Sequence, residues 1–272
     1  MNRRVTKILL NLAAILVVGI WVFPLYLMFS SAFAPGELLS RSAFVLSPRL
    51  TIENFLFVVQ QFPFIYYLRN SLTVTFGSTI LSLILGCLAG YSLARFRIGG
   101  NTLAFWFLST RMLPPAAIVV PFFMIYMRVG LTDTLVGLII AYMVFNLSFV
   151  IWMTRSFFAE IPVQLEEAAM VDGCSRLEAF FRIILPLTKN GIAATAVFCI
   201  IFSWNEFLFA LILTSSKQAQ TLPASVNTFI TKYWTSWGPL YAESTIIVIP
   251  ILIVSIFLQR YLVRGLASTT LK

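Results

Sequence analysis

Six long apolar runs fill more than half of the 272-residue chain and limit what it can fold into. A helix needs roughly 18–20 apolar residues to cross the ~30 Å hydrocarbon core of a bilayer, and each run meets that length. The composition agrees, since 60% of the residues are hydrophobic and only 11% are charged, whereas soluble domains have about 25% charged residues. The sequence therefore predicts an all-α membrane protein with six transmembrane helices in a single domain over residues 1–272. The predicted spans are Ile8–Phe33, Leu68–Ala94, Leu103–Met127, Thr134–Phe158, Gly191–Leu213 and Ser244–Val263.

The first run must be distinguished from a cleavable signal sequence. Basic residues precede it, and Ala32-Phe33-Ala34 resembles a cleavage site. The apolar region of a signal is about 7–15 residues long, and Ile8–Phe29 is clearly longer. We therefore expect a retained helix.

The distribution of Lys and Arg predicts the orientation of the spans. Twelve basic residues fall on the N-terminal side of the bilayer, six on the other side, and Arg111 lies within the third span. Because cytoplasmic loops are enriched in Lys and Arg, both termini and residues 159–190 are predicted to be cytoplasmic. The loops at about 34–67 and 214–243 are then outside. The twelve are Arg3, Arg4, Lys7, Arg95, Arg97, Arg155, Arg176, Arg182, Lys189, Arg260, Arg264 and Lys272. The six are Arg41, Arg49, Arg69, Arg128, Lys217 and Lys232.

Several classes of function are excluded or disfavoured. The net charge of +9 does not indicate nucleic acid, because the basic residues flank apolar runs and form no patch. The chain has no histidine, the commonest metal ligand and general base. Cys87, Cys174 and Cys199 do not form a disulfide pattern. Aromatic residues in the outside loops fit an interfacial belt, with contact to an outside partner as the alternative.

The second run carries small residues at every fourth position: Ser82, Gly86, Gly90 and Ala94. Such a stripe lets two membrane helices approach closely. It predicts close packing, either within the chain or with a partner.

Five of the ten carboxylates fall in one short polar insert, between Glu160 and Glu178. The residue before a proline avoids the helical conformation, so Ile161-Pro162 is predicted to end the fourth helix. Pro162–Val171 is predicted to be a short helix, since proline suits a first turn. Gly173 then acts as the C-terminal cap.

A second short helix follows directly. Ser175 and Glu178 have the spacing of a capping box, and an apolar face follows until Pro186 ends or bends the helix. Residues 159–190 are thus predicted to be a helix–glycine–helix elbow on the cytoplasmic surface. The elbow has no phosphate-binding loop and no nucleophile beside a base, which favours docking over catalysis.

This elbow resembles the EAA signature of permease subunits of binding-protein-dependent ABC importers. The matching residues are Glu167-Ala168-Ala169, then Gly173, then Ile183-Ile184-Leu185-Pro186. The flanking segments Phe158-Ala159-Glu160-Ile161-Pro162 and Trp204-Asn205-Glu206-Phe207 resemble the sugar-transporting, MalG-like branch. The resemblance covers nearly the whole chain. Cys174 departs from it, standing where such permeases often have alanine.

The resemblance implies a type I ABC importer permease fold, in which the elbow is a coupling helix that docks onto a separate ATP-hydrolysing subunit. This chain lacks a G-x-x-x-x-G-K-[ST] motif, so ATP and Mg²⁺ are expected on that subunit, with no cofactor here. The implied partners are a second permease subunit in a heterodimer, a dimer of ATP-binding subunits and an extracytoplasmic solute-binding protein. The implied location is the bacterial or archaeal cytoplasmic membrane. The implied docking residues are Glu166, Glu167, Ala168, Ala169, Asp172, Gly173, Leu185 and Pro186.

Polar residues inside the spans are candidates for the solute path. An ionisable side chain in a membrane usually faces the bundle interior. Arg111 precedes Pro114-Pro115 in the third span, where a structural or gating role competes with solute contact. Asn205 and Glu206 lie in the fifth span, and Asn146 lies in the fourth. For these residues a path for a hydroxylated solute and an interhelical hydrogen bond are both open.

The leading hypothesis is an ATP-driven import subunit with alternating access. An ion-coupled secondary carrier is the second hypothesis, although such carriers usually show internal repeats, which we do not find. An intramembrane enzyme is the third, disfavoured by the absence of a catalytic constellation in the sequence. The expected solute is a sugar or polyol, with glycerol phosphate as the alternative.

Overall fold

Helices form almost all of the chain that the computed structural model describes, which is residues 3–40, 42, 49–96, 99–231 and 234–269. Within these residues the only β structure is an isolated antiparallel bridge between Ile230 and Thr235. The predicted all-α fold is confirmed. Some basic residues of the charge count lie outside the described residues: Arg41, Arg97, Lys232 and Lys272. Four more of these residues are described only by their backbone and not by their side chains: Arg3, Arg4, Arg260 and Arg264.

The helices vary in length from one turn to nine. In chain order they are α1 (Arg3–Ala32), α2 (Gly36–Leu39), α3 (Glu53–Gln61), α4 (Phe64–Phe96), α5 (Gly100–Ser109), α6 (Pro115–Val129), α7 (Leu135–Glu160), α8 (Val163–Val171), α9 (Arg176–Ala179), α10 (Leu185–Leu187), α11 (Lys189–Trp204), α12 (Leu208–Leu213), α13 (Leu222–Ser225) and α14 (Trp237–Thr269). The 3₁₀ turns are Thr110–Met112 and Val226–Phe229, and Phe180–Ile184 is a π-helical turn.

Four of the described helices are long and apolar enough to cross a membrane alone: α1, α4, α7 and α14. Two further pairs reach that length only jointly, and each is sharply bent, by 91° before α6 and by 78° before α11. Six crossings result if each bent pair counts as one. The span limits and the single domain over residues 1–272 stay predictions, because length and composition alone do not fix where a bilayer lies.

The third apolar run is not one straight helix, which corrects a continuous span over Leu103–Met127. Leu113 and Pro114 are extended, with ψ of 129° and 123°, and α6 then leaves at 91° to the preceding helix. Two consecutive prolines cause the break, since each disfavours helix in the residue before it and lacks an amide hydrogen.

The small-residue stripe of α4 packs against α7 within the chain. A side chain at Gly86 would collide with Val150, and one at Gly90 would collide with Thr154. The Thr154 hydroxyl donates hydrogen bonds to the carbonyls of Gly86 (3.2 Å) and Val150 (2.7 Å). The predicted close packing is confirmed, and the structure decides that it is internal.

The chain divides into two compact units, and the candidate sites lie in the larger one. The smaller unit is Met1–Ile65 with Ser225–Pro250, and the larger is Tyr66–Ala224 with Ile251–Lys272. In the smaller unit, buried Asn54 donates hydrogen bonds to the carbonyls of Ala32 (3.0 Å) and Ala34 (2.9 Å). In the larger unit, an aromatic and aliphatic core joins α4, α6, α7 and α12. It includes Val74, Tyr126, Leu138, Tyr142 and Phe209.

We predict that Gly90→Val lowers the thermal midpoint of the detergent-solubilised protein. The added side chain forces α4 away from α7, and overpacking of this kind costs about 1–3 kcal/mol, or roughly 3–10 °C. Gly19→Val in α1 is the matched control, because a Cβ there meets nothing within 4 Å. Equal midpoints for the two variants would contradict the packing role. Differential scanning fluorimetry measures both.

Candidate functional site

The elbow begins with α8, whose ends are fixed by local chemistry. Pro162 stands at the N-terminal cap with extended backbone (ψ 133°). At the other end Gly173 has φ of 94°, a conformation that favours glycine. The amides of Gly173 and Cys174 donate to the carbonyls of Met170 (3.1 Å) and Ala169 (3.0 Å), which is a Schellman motif. The predicted C-terminal cap at Gly173 is confirmed.

The residues predicted to dock the ATPase do not all face the same way. Four of them are exposed: Glu167, Ala168, Asp172 and Gly173. Ala169 is only 5% exposed and Glu166 only 3%. The exposed side of α8 therefore carries one carboxylate, Glu167, and one alanine, Ala168, while Glu166 and Ala169 pack inward. Its other exposed side chains are Val163, Gln164, Leu165 and Val171.

Glu166 is the main correction to the predicted docking surface. Its carboxylate accepts a 2.8 Å bond from Arg95 Nε and a hydrogen bond from the Tyr91 hydroxyl. Arg95 Nη1 also donates to the carbonyl of Ile161 at 3.1 Å. The side chains of Arg95 and Glu166 are 6% and 3% exposed. Glu166 therefore faces α4 instead of the surface, because a buried carboxylate needs a charged or hydrogen-bonding partner.

The second arm of the elbow runs from α9 to α10. The Glu178 amide donates to the Ser175 hydroxyl (3.3 Å), and the Ser175 amide donates to the Glu178 carboxylate (2.8 Å), so the predicted capping box is confirmed. Phe180 and Ile184 are buried against Tyr91 and its neighbours.

The chain turns into α11 just after Pro186. Thr188 bridges the turn, since its hydroxyl donates to the carbonyls of Ile184 (2.9 Å) and Leu185 (3.2 Å). The Ile184 carbonyl also accepts the Thr188 amide at 3.1 Å, so Thr188 closes the last turn of the elbow before α11 begins. Pro186 is exposed and Leu185 is half-buried, at the corner where the helix direction changes by 78°.

A cavity of about 150 Å³ lies among α6, α7 and α11 with their adjoining breaks. Three of the four residues predicted for the solute path line it: Arg111, Asn146 and Glu206. The fourth, Asn205, is exposed and donates to the Ile201 carbonyl at 2.8 Å, so it caps α11. The other lining residues are Leu113, Pro115, Tyr142, Phe145, Phe202, Ser203 and Phe209.

Arg111 lies against aromatic rings. Its guanidinium carbon is 4.3 Å from the ring centre of Phe202 and 5.2 Å from that of Phe149. Among the described residues it forms no salt bridge. These contacts hold the cation by its interaction with the ring faces and leave its N–H groups for the cavity.

Glu206 occupies a break in the fifth apolar run, which was predicted to be continuous over Gly191–Leu213. α11 ends at Trp204, and the Glu206 carboxylate accepts a 3.0 Å bond from the Phe209 amide in the first turn of α12. The Tyr142 hydroxyl donates to the backbone carbonyl of Glu206 at 3.1 Å. Glu206 is thus both a helix cap and part of the cavity wall.

Asn146 connects the cavity wall to α4 through serine hydroxyls. It is 1% exposed, and its amide donates to Ser203 Oγ at 2.7 Å. Ser203 Oγ lies 3.1 Å from Ser78 Oγ on α4. The interhelical hydrogen bond left open from the sequence is present, at a residue that also borders the cavity.

Sequence reasoning missed several of these participants. Arg95 was assigned only to topology, Tyr91 was not singled out, and Ser203 and Tyr142 gave no signal. Arg95 and Tyr91 are four residues apart near the end of the second run, so a basic–aromatic pair on one helix face was the available clue.

The fold and these sites are those of a membrane transport subunit: long apolar helices, a partly open cavity bordered by Arg111 and Glu206, and an exposed elbow. The chain belongs to the family of binding-protein-dependent transport system inner membrane components, whose model matches residues 82–268. It is a permease subunit of an ABC importer, a multi-pass inner membrane component and not an enzyme. It works with a binding protein and a separate ATPase.

Relatives of known description extend over the whole chain. The diacetylchitobiose uptake system permease protein DasC of Streptomyces coelicolor is 37% identical over 96% of this chain and 95% of its own length. The trehalose transport system permease protein SugB of Mycobacterium tuberculosis is 34% identical, with 94% of each chain covered. A chain of a bacterial ABC transporter that imports the acidic polysaccharide alginate has the same fold, with a TM-score of 0.79. It is 22% identical, with 96% of this chain and 98% of that chain covered.

We predict that the second arm of the elbow loses protection at low pH. The Ser175 amide and hydroxyl, followed by Arg182, hold the pKa of the Glu178 carboxyl below its ordinary value of 4.5. Because this pKa is lower in the folded arm, the ionised Glu178 carboxylate stabilises the arm at pH values above the ordinary pKa. This stabilisation is lost as the pH falls through the lowered pKa. Hydrogen–deuterium exchange of residues 175–184, corrected for intrinsic rates, should therefore accelerate below about pH 4.5. Glu178→Gln should remove this pH dependence, and its persistence in that variant would contradict the assignment.

Proposed function

We propose that this chain forms half of the translocation path of an importer for a sugar or polyol and receives the ATPase through the elbow of residues 159–190. The observation that carries the proposal is the pairing of two separate sites on one helical bundle. One is the exposed side of α8 with its carboxylate Glu167, and the other is a partly open cavity lined by opposite charges and aromatic rings.

The cavity supports a hydroxylated solute. Arg111 supplies N–H donors, the Glu206 carboxylate supplies acceptors, and Phe202 and Phe209 supply apolar faces. A sugar ring presents hydroxyl groups at its edge and C–H groups on its faces, so it matches both kinds of wall. The two relatives described above carry diacetylchitobiose and trehalose in their names, which supports the same class.

The charge balance of the cavity favours a neutral solute over glycerol phosphate. Arg111 and Glu206 contribute formal charges of opposite sign to one wall. A phosphate would gain from the arginine but would be repelled by the carboxylate in a medium of low dielectric constant. A neutral polyol bonds to both groups without this conflict.

The elbow supports docking by charge and by shape. Glu167 and Asp172 are exposed carboxylates, which form charge-assisted hydrogen bonds with arginine side chains of a partner. Ala168 between them leaves room for close approach. ATP and Mg²⁺ belong on the partner in this proposal, and closure of two ATPase subunits draws the elbows together and rocks the helices open to the outside.

The proposal also covers the orientation of the chain in the membrane and its pairing with a second permease subunit. The excess of basic residues on one side supports cytoplasmic termini and a cytoplasmic elbow. One subunit supplies only one wall of a path, so a second permease subunit, different from this one, completes it.

We predict that Glu167→Ala and Gly173→Ala weaken docking of the ATPase subunit without unfolding the permease. Loss of one charge-assisted bond costs about 1.5–3 kcal/mol, so co-purification should fall by roughly tenfold or more. Alanine at a φ of 94° strains the turn that aligns the exposed face. Affinity purification followed by quantification of the ATPase measures the effect.

Two matched variants control for charge and for backbone conformation. Glu53→Ala removes an exposed carboxylate outside the elbow, and Gly130→Ala strains another positive-φ glycine (70°) outside the elbow. Both should retain the ATPase. Normal docking and uptake in Glu167→Ala and Gly173→Ala would sink the coupling role.

We predict that Arg111→Met and Glu206→Gln lower the maximal uptake rate of a neutral sugar about tenfold, the effect of losing one favourable contact. The half-saturating concentration should change little, because the binding protein sets it. Uptake by the complete transporter is measured with labelled trehalose, diacetylchitobiose and glycerol 3-phosphate. Arg128→Met, an exposed arginine outside the cavity, is the control. Preferential uptake of glycerol 3-phosphate would overturn the neutral-solute assignment.

A further inference from the structure

The docking helix α8 is connected to the rest of the chain by a short non-helical segment at each end. Before it, Ile161 and Pro162 are extended, with ψ of 126° and 133°. After it, Gly173 has a conformation that few other residues adopt. Neither segment is helical, so neither transmits a push or a turn as a rigid rod would. The position of α8 therefore depends on its non-covalent contacts.

The strongest of these contacts reach α4. Glu166 of α8 bonds to Tyr91 and Arg95, which are one turn apart on the same face of α4. Arg95 also binds the Ile161 carbonyl and so fastens the segment before α8 as well as the helix. All three side chains are buried, with exposures of 5% for Tyr91, 6% for Arg95 and 3% for Glu166.

The second arm of the elbow holds the same end of α4. The guanidinium carbon of Arg176 lies 5.0 Å from the ring centre of Phe96, the last residue of α4. The ring centres of Phe180 and Tyr91 are 4.7 Å apart. Both arms are thus attached to the final two turns of one helix.

Further along, α4 reaches the cavity wall. Ser78 lies 17 residues before Arg95, which corresponds to about 25 Å along a helix. Its hydroxyl contacts Ser203, which accepts from Asn146, and both partners line the cavity. Between these two ends, Gly86 and Gly90 seat α4 tightly on α7. An unbroken helix therefore joins the elbow to the cavity.

We propose that Tyr91 and Arg95 are positioning residues that fasten the docking helix to α4, which makes α4 the lever between the ATPase and the solute path. This inference rests on the proposed coupling function of the elbow. It predicts that breaking the bond to Glu166 separates ATP hydrolysis from uptake while the exposed docking face stays intact.

If the Arg95–Glu166 pair only stabilised the fold, breaking it would leave the ratio of uptake to ATP hydrolysis normal. Variants of the pair separate the two roles. Removing one member of a buried ion pair leaves an uncompensated charge, whereas replacing both members by neutral groups is often tolerated. Arg95→Met alone should therefore release α8. Arg95→Met with Glu166→Gln should reseat it, because glutamine keeps an acceptor for the Tyr91 hydroxyl and carries no charge. Arg182→Met is the matched control, since Arg182 pairs with Glu178 at 3.7 Å on the exposed side of the same elbow.

The experiment uses the complete transporter, purified with its ATPase and binding protein. For Arg95→Met we expect hydrogen–deuterium exchange in residues 163–172 to accelerate about 100-fold, as expected for loss of one partner of a buried pair. We also expect the ATPase to be retained and the uptake per ATP hydrolysed to fall at least about tenfold, since an unfastened helix no longer moves α4. The double variant should recover both readouts, and Arg182→Met should change neither.

Two outcomes overturn the inference. One is unchanged exchange in Arg95→Met, which means that the pair does not hold α8. The other is faster exchange with a normal ratio of uptake to hydrolysis, which means that the pair only stabilises the fold. A failure of the coupling role is detected by a separate experiment, as normal docking of the ATPase in Glu167→Ala. In either case, the exchange rates of Arg95→Met show whether the ion pair holds α8 on α4.

Discussion

The buried ion pair between Arg95 and Glu166 decides how the polar part of this protein is attached to its apolar part. An ion pair removed from water is tolerated only with good geometry and further hydrogen bonds. Here the bond of 2.8 Å, the Tyr91 hydroxyl and the Ile161 carbonyl supply partners for the carboxylate and for Nε and Nη1 of Arg95, while Nη2 is buried without a hydrogen-bond partner among the described residues. Because Glu166 turns inward, its neighbour Glu167 faces outward on the same short helix. Of these two adjacent carboxylates, Glu166 therefore holds the elbow on α4 and Glu167 lies at its exposed surface.

Breaks in the helices follow a second constraint, that backbone polar groups buried in the protein need hydrogen-bond partners. Three breaks have three different local solutions. At the first, Thr110 donates to the Phe107 carbonyl at 2.7 Å just before the two prolines. At the second, the amide and the hydroxyl of Thr188 both bond to the Ile184 carbonyl. At the third, Glu206 caps α12.

Two of these breaks border the cavity and the third forms the elbow. Irregular backbone in a membrane bundle is tolerated where it lines a cavity or is buried in protein, so the cavity lies where the helices are interrupted. The prolines after Arg111 and the cap at Glu206 bring opposite charges to one wall. In the proposed function, energy enters at the surface that carries Glu167 and Asp172, and the solute meets the opposite charges of Arg111 and Glu206 beside aromatic rings.

The sequence by itself determined the membrane class, the helical fold, the elbow with its caps at Gly173 and Ser175, and membership of the permease family. Those features depend on local rules, namely apolar length, proline and glycine geometry and fixed motif spacing, which act over a few turns of chain. Only the tertiary structure decided that Glu166 is buried, that Asn205 caps a helix instead of lining the cavity, and that the glycine stripe of α4 faces α7. The burial of Glu166 and the seating of the glycine stripe depend on contacts between residues far apart in sequence, namely Glu166 with Arg95 (71 positions) and Thr154 with Gly86 (68 positions). Asn205 instead bonds to the Ile201 carbonyl four positions back, at a helix end that the sequence did not predict. The direction a side chain faces is set by its partner across the bundle, and no spacing within one helix specifies that partner.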